Sequence, residues 1–244
     1  NYPKSQNTHL HIIEPYTNLY RCLKEFQARE SCDYVPVLGA VLPVGVSVPQ
    51  ETVYRVEKAL RNLIDIFCDK ILNPATHHLD LFFDMDWTRE AGRLESYGHD
   101  IECSWLMHEA ALVLGDTVVL AKVEPIVQMV ASASKKGLNA DGSMVHEANL
   151  DTGYVDTDRH WWVQAETVVG CWNRFQRDAD AAWAERALDT WAFIRRAILC
   201  PDGEWYWSRR ADGTANAADD RAGFWKCPYH NGRMCMEIME RTAI

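Results

Sequence analysis

Near the C-terminus, Phe224-Trp225-Lys226-Cys227-Pro228-Tyr229-His230-Asn231-Gly232-Arg233 gathers an imidazole, a guanidinium and several aromatic rings in one short stretch. Such side chains hold a sugar or move a proton. Pro228 suits the first turn of a helix, because its missing N–H would have no partner there and its φ is already helical. His230 then falls in the opening turn of a helix running to about Glu240. Partial positive charge at a helix N-terminus disfavours imidazolium, so a histidine there is expected to stay neutral near pH 7 and able to accept a proton. Trp225 offers a flat apolar wall beside it. The competing reading of the same residues is a buried, hydrogen-bonded histidine that caps the last helix.

Three further clusters carry similar side chains. His99-Asp100-Ile101-Glu102 places an imidazole and a carboxylate three apart, on one helical face, where the carboxylate can orient the imidazole or hold a hydroxyl. Trp161-Trp162 precede Glu166. Asn7-Thr8-His9-Leu10-His11 contains H-x-H, which invites a metal reading that His99, Glu102 and His230 would extend. On a helix, however, residues i and i+2 point about 200° apart, so Asn7 and His11 share a face instead and no metal is expected. Asp84 and Asp86 raise a glycosidase alternative, since a carboxylate pair is what glycoside hydrolysis needs. Their spacing in a loop fits turn chemistry better. The inventory lacks a Ser/His/Asp order, a phosphate-binding glycine loop and a dinucleotide fingerprint; it suits proton transfer on a carbohydrate.

Helices must position these residues. Apolar periodicity places them at 7–28, 51–72, 99–115, 117–136, 161–177 and 179–199, with a last one after Pro228. Asp141-Gly142 suggests a short hairpin reaching Leu150, and Glu204–Trp207 a short strand. Residues 73–98 form a long connection. Residues 33–50, with Pro36, Gly39, Pro43, Gly45 and Pro49 among valines, resist helix formation. The polar clusters sit at the start of every second helix, near residues 7, 99, 161 and 230. The first interval exceeds the others by roughly the length of the Pro/Gly/Val segment, which therefore reads as an insertion in a repeat of αα-hairpins. In a ring of such hairpins alternate helices run the same way, and the four clusters converge at one mouth.

The 244 residues are expected to form a single domain, with 48% apolar and 25% charged side chains. A formal charge of −10, from 35 acidic against 25 basic residues, argues against a nucleic-acid or anionic-membrane partner. No apolar run approaches the roughly 20 residues of a membrane span. None of the eight cysteines forms a C-x-x-C pair. Cys68, Cys103, Cys171 and Cys235 fall in helical patterns as small core hydrophobes, so reduced thiols and a cytoplasmic setting are expected. Ten tryptophans are unusual, and several lie in polar surroundings where aromatic rings form platforms for sugars.

Five motifs, in order along nearly the whole chain outside 33–50, closely resemble the cellobiose 2-epimerases of the N-acylglucosamine 2-epimerase superfamily. They are Asn7-Thr8-His9-Leu10-His11, His77-His78-Leu79 with Leu81-Phe82-Phe83-Asp84, Ser96-Tyr97-Gly98-His99-Asp100-Ile101-Glu102, Trp161-Trp162-Val163-Gln164-Ala165-Glu166, and Trp225-Lys226-Cys227-Pro228-Tyr229-His230-Asn231. The resemblance implies an all-α, (α/α)6-barrel toroid with no metal, nucleotide or other cofactor. It implies epimerisation at C2 of the reducing-end glucose of a β-1,4-linked disaccharide. His99 and His230 match the catalytic acid/base pair and His11 a third active-site histidine, while Asn7, Glu102, Trp161, Trp162, Glu166 and Trp225 match substrate contacts. An aldose–ketose isomerase using the same enediol, and a non-catalytic sugar-binding remnant, are the alternatives. Four inner helices are few against the six of that barrel. The N-terminal hairpins are expected to be missing, leaving one side open and apolar, with completion by a longer chain or by self-association. An isolated monomer of 244 residues is expected to be weakly active or inactive.

Overall fold

Where one helix turns back into the next, the chain spends two residues. α3 (Tyr97–Leu114) stops at Gly115, whose φ of 68° is the left-handed value glycine adopts without penalty. Asp116 then starts α4 (Thr117–Ser134), its carboxylate accepting from the N–H groups of Val118 and Val119. The same device joins α5 (Trp161–Asp178) to α6 (Ala181–Phe193). Ala179 takes the left-handed position at φ 54°, and Asp180 accepts from the Ala182 N–H. α1 (Gln6–Ala28), α2 (Gln50–Ile66) and α7 (His230–Thr242) complete the helices of the computed structural model, which describes residues 2–28, 34–37, 40–43 and 48–243.

The helices form two layers of an (α/α)-barrel-type toroid. α1, α3, α5 and α7 lie side by side as inner helices, in chain order, while α2, α4 and α6 pack outside α1, α3 and α5. α3 is buried on nearly every face, as an inner helix must be. Leu10, Ile13, Leu60, Ile64, Phe67, Trp105, Leu106, Val123, Val127, Ala165 and Val169 pack together between the layers. α5 meets α3 closely at Gly170, where an added Cβ would come 2.5 Å from Ile101 Cγ1.

Each outer helix ends in the same manner. α2 and α6 widen into single π-type turns, Phe67–Ile71 and Ile194–Ile198, and α4 tightens into Lys135–Gly137. An extended leucine follows and pairs with a residue a few positions on: Leu72 with Leu79, Leu138 with Met144, Leu199 with Trp205. These loops, together with the antiparallel strands Leu94–Ser96, Glu147–Asn149 and Tyr154–Asp156, lie at the end where the inner helices begin. Asp100, buried in the first turn of α3, accepts from the Leu79 N–H at 2.9 Å and lies 2.6 Å from His78 Nδ1, fixing the first loop to the helix.

Several expectations need correction. Pro228 precedes the last helix instead of entering its first turn; the helix begins at His230. The strand expected at 204–207 reduces to the Trp205 pairing, and Ser208–Arg209 pairs with Arg159–His160 instead. Cys235 is exposed on α7, whereas Cys103 and Cys171 are buried. Thr117–Gly137 is, by length and composition alone, long and apolar enough to cross a membrane, contrary to the sequence reading. It packs against α3 with Val123, Val127 and Val130 buried. Within 33–50, the strands Tyr34–Val37 and Ala40–Pro43 pair as an antiparallel hairpin, and positions 33, 38–39 and 44–47 lie outside the described residues. A groove beside α1 is lined by His11, Glu14, Pro15, Asn18 and Tyr229.

Ala179 holds a backbone conformation that costs a residue with a Cβ about 1–2 kcal/mol. Replacing it by glycine removes that cost against the larger entropy glycine loses on folding. Ala179→Gly is expected to stabilise the protein by about 0.5–1 kcal/mol in urea unfolding; destabilisation would show that the junction is not strained.

Candidate functional site

His230 opens α7 with Nδ1 2.7 Å from Oε1 of Glu166, which is buried on α5. Glu166 also accepts from Trp105 Nε1 at 2.9 Å and from Arg233 Nη2 at 2.7 Å. Burial alone would push this carboxyl up. The Arg233 charge and the hydrogen bond from His230 outweigh burial and hold it below the usual carboxylate range, hence ionised. An ionised carboxylate only accepts, so Nδ1 of His230 donates to it and Nε2 is the nitrogen left for the cavity.

Arg233, one turn further along α7 and 6% exposed, is shared by the other inner helices. Its Nη2 lies 2.7 Å from Glu102 Oε1 on α3, and its Nη1 lies 2.5 Å from Glu14 Oε2 on α1 and 2.6 Å from the Tyr229 hydroxyl. Tyr229 also donates to Glu14. Glu102 is pushed up, first by burial and then by the Glu166 charge, with Arg233 opposing. The two carboxyls at one guanidinium are therefore driven apart: Glu166 stays charged and Glu102 leans toward its protonated form.

His99, in the first turn of α3, has Nδ1 2.7 Å from Ser96 Oγ. Glu102 does not orient it, as its i, i+3 spacing suggested; Glu102 serves Arg233. Burial lowers His99 to about 3, with the neighbouring His146, His11 and His230 adding to the shift, so the ring is neutral at pH 7. His11 is also lowered, by burial first and then by His230 and Arg233. Its Nδ1 lies 3.4 Å from the Tyr229 hydroxyl, and its ring centre 6.0 Å from that of His230.

These groups line a cavity of about 410 Å³. Asn7, His11, His99, Glu102, Trp161, Trp162, Trp225 and His230 all face it, and Glu166 stands behind His230. The Trp162 ring is 4.7 Å from that of His99 and 5.6 Å from that of His230, so one indole neighbours both imidazoles. Trp161, fully buried, meets His230 edge-on at 5.3 Å. Trp225 is not the wall expected beside His230: it is 78% exposed at the rim, with its ring against Phe224. His9 turns away, toward the Ser5 carbonyl and Trp87, so H-x-H does not converge. Asp84 caps its own turn, accepting from the N–H groups of Asp86 and Thr88.

The cavity also contains residues the sequence reading passed over: His146, His160, Trp207, Cys227 and Tyr229. His146 and His160 reach it from strand segments, where the signal would have been pairing across Glu147↔Asp156 and His160↔Ser208 rather than any helical period. Asp156 lies between them, its Oδ2 3.0 Å from His146 Nδ1 and 3.4 Å from His160 Nε2. The His146 ring stands edge-on to Trp162 at 5.6 Å.

Residues 45–232 match the family model of N-acylglucosamine 2-epimerase. The chain is 49% identical over 237 residues to the cellobiose 2-epimerase of Bacteroides fragilis, covering 97% of this chain and 53% of that one. Its structure resembles that of a sugar epimerase from a ruminal bacterium (TM-score 0.82, 31% identity, 100% of this chain and 55% of that one). It also resembles the cellobiose 2-epimerase of Bacillus thermoamylovorans (TM-score 0.79, 33% identity, 99% and 54%). The chain thus spans about half the length of the relatives it matches.

Two measurements check this geometry. A Cβ on Gly98 would lie 2.6 Å from the Trp162 ring; Gly98→Ala is expected to displace the indole, shifting tryptophan fluorescence and costing about 1–3 kcal/mol of stability. His99 binds its proton more weakly folded than unfolded, so between pH 6.5 and about 3 the unfolded chain holds more protons and falling pH removes stability. Thermal unfolding of His99→Asn should therefore lose less on acidification through that window than the wild type; an equal loss would refute the assignment.

Proposed function

The chain belongs to the N-acylglucosamine 2-epimerase family, and from that premise we propose that its cavity epimerises C2 of the reducing-end glucose of a β-1,4-linked disaccharide such as cellobiose. One observation carries the reading: His99 and His230 line the same cavity and both neighbour the Trp162 ring, the first neutral by burial and the second with Nδ1 held by Glu166 so that Nε2 is left to the cavity. Two imidazoles so placed can serve opposite faces of one carbon. The sugar ring opens to the aldehyde, and one imidazole removes the C2 proton to give a cis-enediolate. After rotation about C2–C3 the other imidazole returns a proton to the opposite face. His230 can carry the charge it gains because the ionised Glu166 lies behind it. His11 and the protonated Tyr229 hydroxyl stand where ring opening needs a proton carrier. Asn7, Trp161 and Glu102 complete the floor, and Trp225 at the rim offers an apolar face to the second sugar.

Incubating cellobiose in D2O with the chain in an assembly that completes the barrel, a longer chain or a self-associated form, tests this. Deuterium at C2 and a C2-epimeric disaccharide are expected, and both should fall by about 10²–10⁴-fold in His230→Ala and in His99→Ala. A ketose product would replace the reading by an aldose–ketose isomerase on the same enediolate. Quenched tryptophan fluorescence with C2 unlabelled would replace it by a sugar-binding protein.

A further inference from the structure

His146, Asp156 and His160 form a cluster that proton transfer at His99 and His230 does not use. Each sits on a different backbone segment, and pairing fixes the segments: Glu147 opposite Asp156, and His160 opposite Ser208. One nitrogen of each ring and one oxygen of the carboxylate lie within 4.8 Å of one another. Asp156 Oδ2 is 3.0 Å from His146 Nδ1 and 3.4 Å from His160 Nε2. With metal–ligand bonds of about 2.0–2.1 Å, neighbouring donors of a tetrahedral or octahedral shell lie about 2.9–3.4 Å apart. Two of the three donor distances already have that spacing, and the third is within 4.8 Å.

Its surroundings favour a cation as well. The hydrogen bonds of the Asp156 side chain run to the two imidazoles and the Asp158 N–H, and among the described residues no lysine or arginine pairs with it. The side chains are 21%, 24% and 17% exposed, so an ion can enter from the cavity. Glu102, Glu166 and His230 form the other cluster of ligand type, but there the Arg233 guanidinium already lies 2.7 Å from both carboxylates. It is a fixed cation in the place a metal would need.

We infer that His146, Asp156 and His160 form a binding site for a divalent transition-metal ion of the zinc class, at the edge of the cavity. Two imidazoles and one carboxylate suit zinc, cobalt, nickel or copper, and are poor for magnesium or calcium, which prefer all-oxygen shells. Three protein ligands leave further positions for water or a sugar hydroxyl. A bound ion displaces to solvent the protons that His146 Nδ1 and His160 Nε2 hold toward Asp156, takes up the lone pairs so freed and clamps the loops that carry them. Through the edge contact of His146 with Trp162, occupancy reaches the indole that neighbours both His99 and His230. The inference stands on this cluster alone and does not depend on the epimerase reading.

Titration calorimetry with zinc chloride in a non-chelating buffer tests it, with cobalt(II) absorption reporting the coordination shell. One ion per chain is expected, with at least a tenfold loss of affinity in His146→Ala, in Asp156→Asn and in His160→Gln. The glutamine variant keeps a hydrogen-bond donor for Asp156 while removing the ligand. Circular dichroism of the metal-free variants separates loss of binding from loss of fold, and Asp156→Asn keeps the size of the side chain should an alanine variant unfold. Zinc binding unchanged in all three folded variants would overturn the site, as would no stoichiometric binding by the wild type. Binding lost in Glu166→Gln but retained in His146→Ala would move the site to the other cluster and overturn it equally.

Discussion

A single buried guanidinium ties the inner helices together. Arg233 projects from α7 and meets Glu14 on α1, Glu102 on α3 and Glu166 on α5. Burying these charges is expensive, and their mutual attraction repays it only when every partner is in place. Three carboxylates around one arginine would leave excess negative charge. The structure relieves that excess by letting Glu102 lean toward its neutral form while the Arg233 charge and the hydrogen bond of His230 keep Glu166 ionised. The electrostatics that hold the inner ring therefore also fix the tautomer of His230. Loss of Arg233 would disturb packing and proton transfer together, since the same atoms serve both.

The packing around Trp162 shows a similar economy. Gly98 removes a Cβ from the first turn of α3, and the indole lies in the space this leaves. His99, the next residue, is thereby set against the ring instead of above it. Ser96 holds the far side of the imidazole through Nδ1. The position of His99 thus rests on the smallest residue in the chain, on a hydroxyl and on an indole.

Helix periodicity and the junction at Gly115-Asp116 made the hairpins legible, because both are local signals. The co-phased starts of α1, α3, α5 and α7 located the mouth and most of its polar residues, including His11, His99 and His230. What stayed hidden depends on long-range geometry. His146, Asp156 and His160 come together only through strand pairing, and nothing in their spacing encodes it. Glu102 looked like a partner for His99 because the two share a helix; a guanidinium from α7, far away in sequence, claims it instead. Trp225 was misplaced for a related reason: with Pro228 outside the helix, the residues before it run along the rim rather than against His230.

The shared ending of the outer helices carries a wider meaning. At Leu72, Leu138 and Leu199 the chain leaves each outer helix by an extended leucine, and a short pairing closes the loop that follows. The closures form a common chassis, while the residues within and just beyond them differ freely: a buried imidazole at His78, a cavity-facing one at His146, an indole at Trp207. Chemistry can be exchanged between such loops without repacking the helices beneath them. A fold of this kind diversifies at its rim, one cassette at a time, while its two layers of helices stay the same.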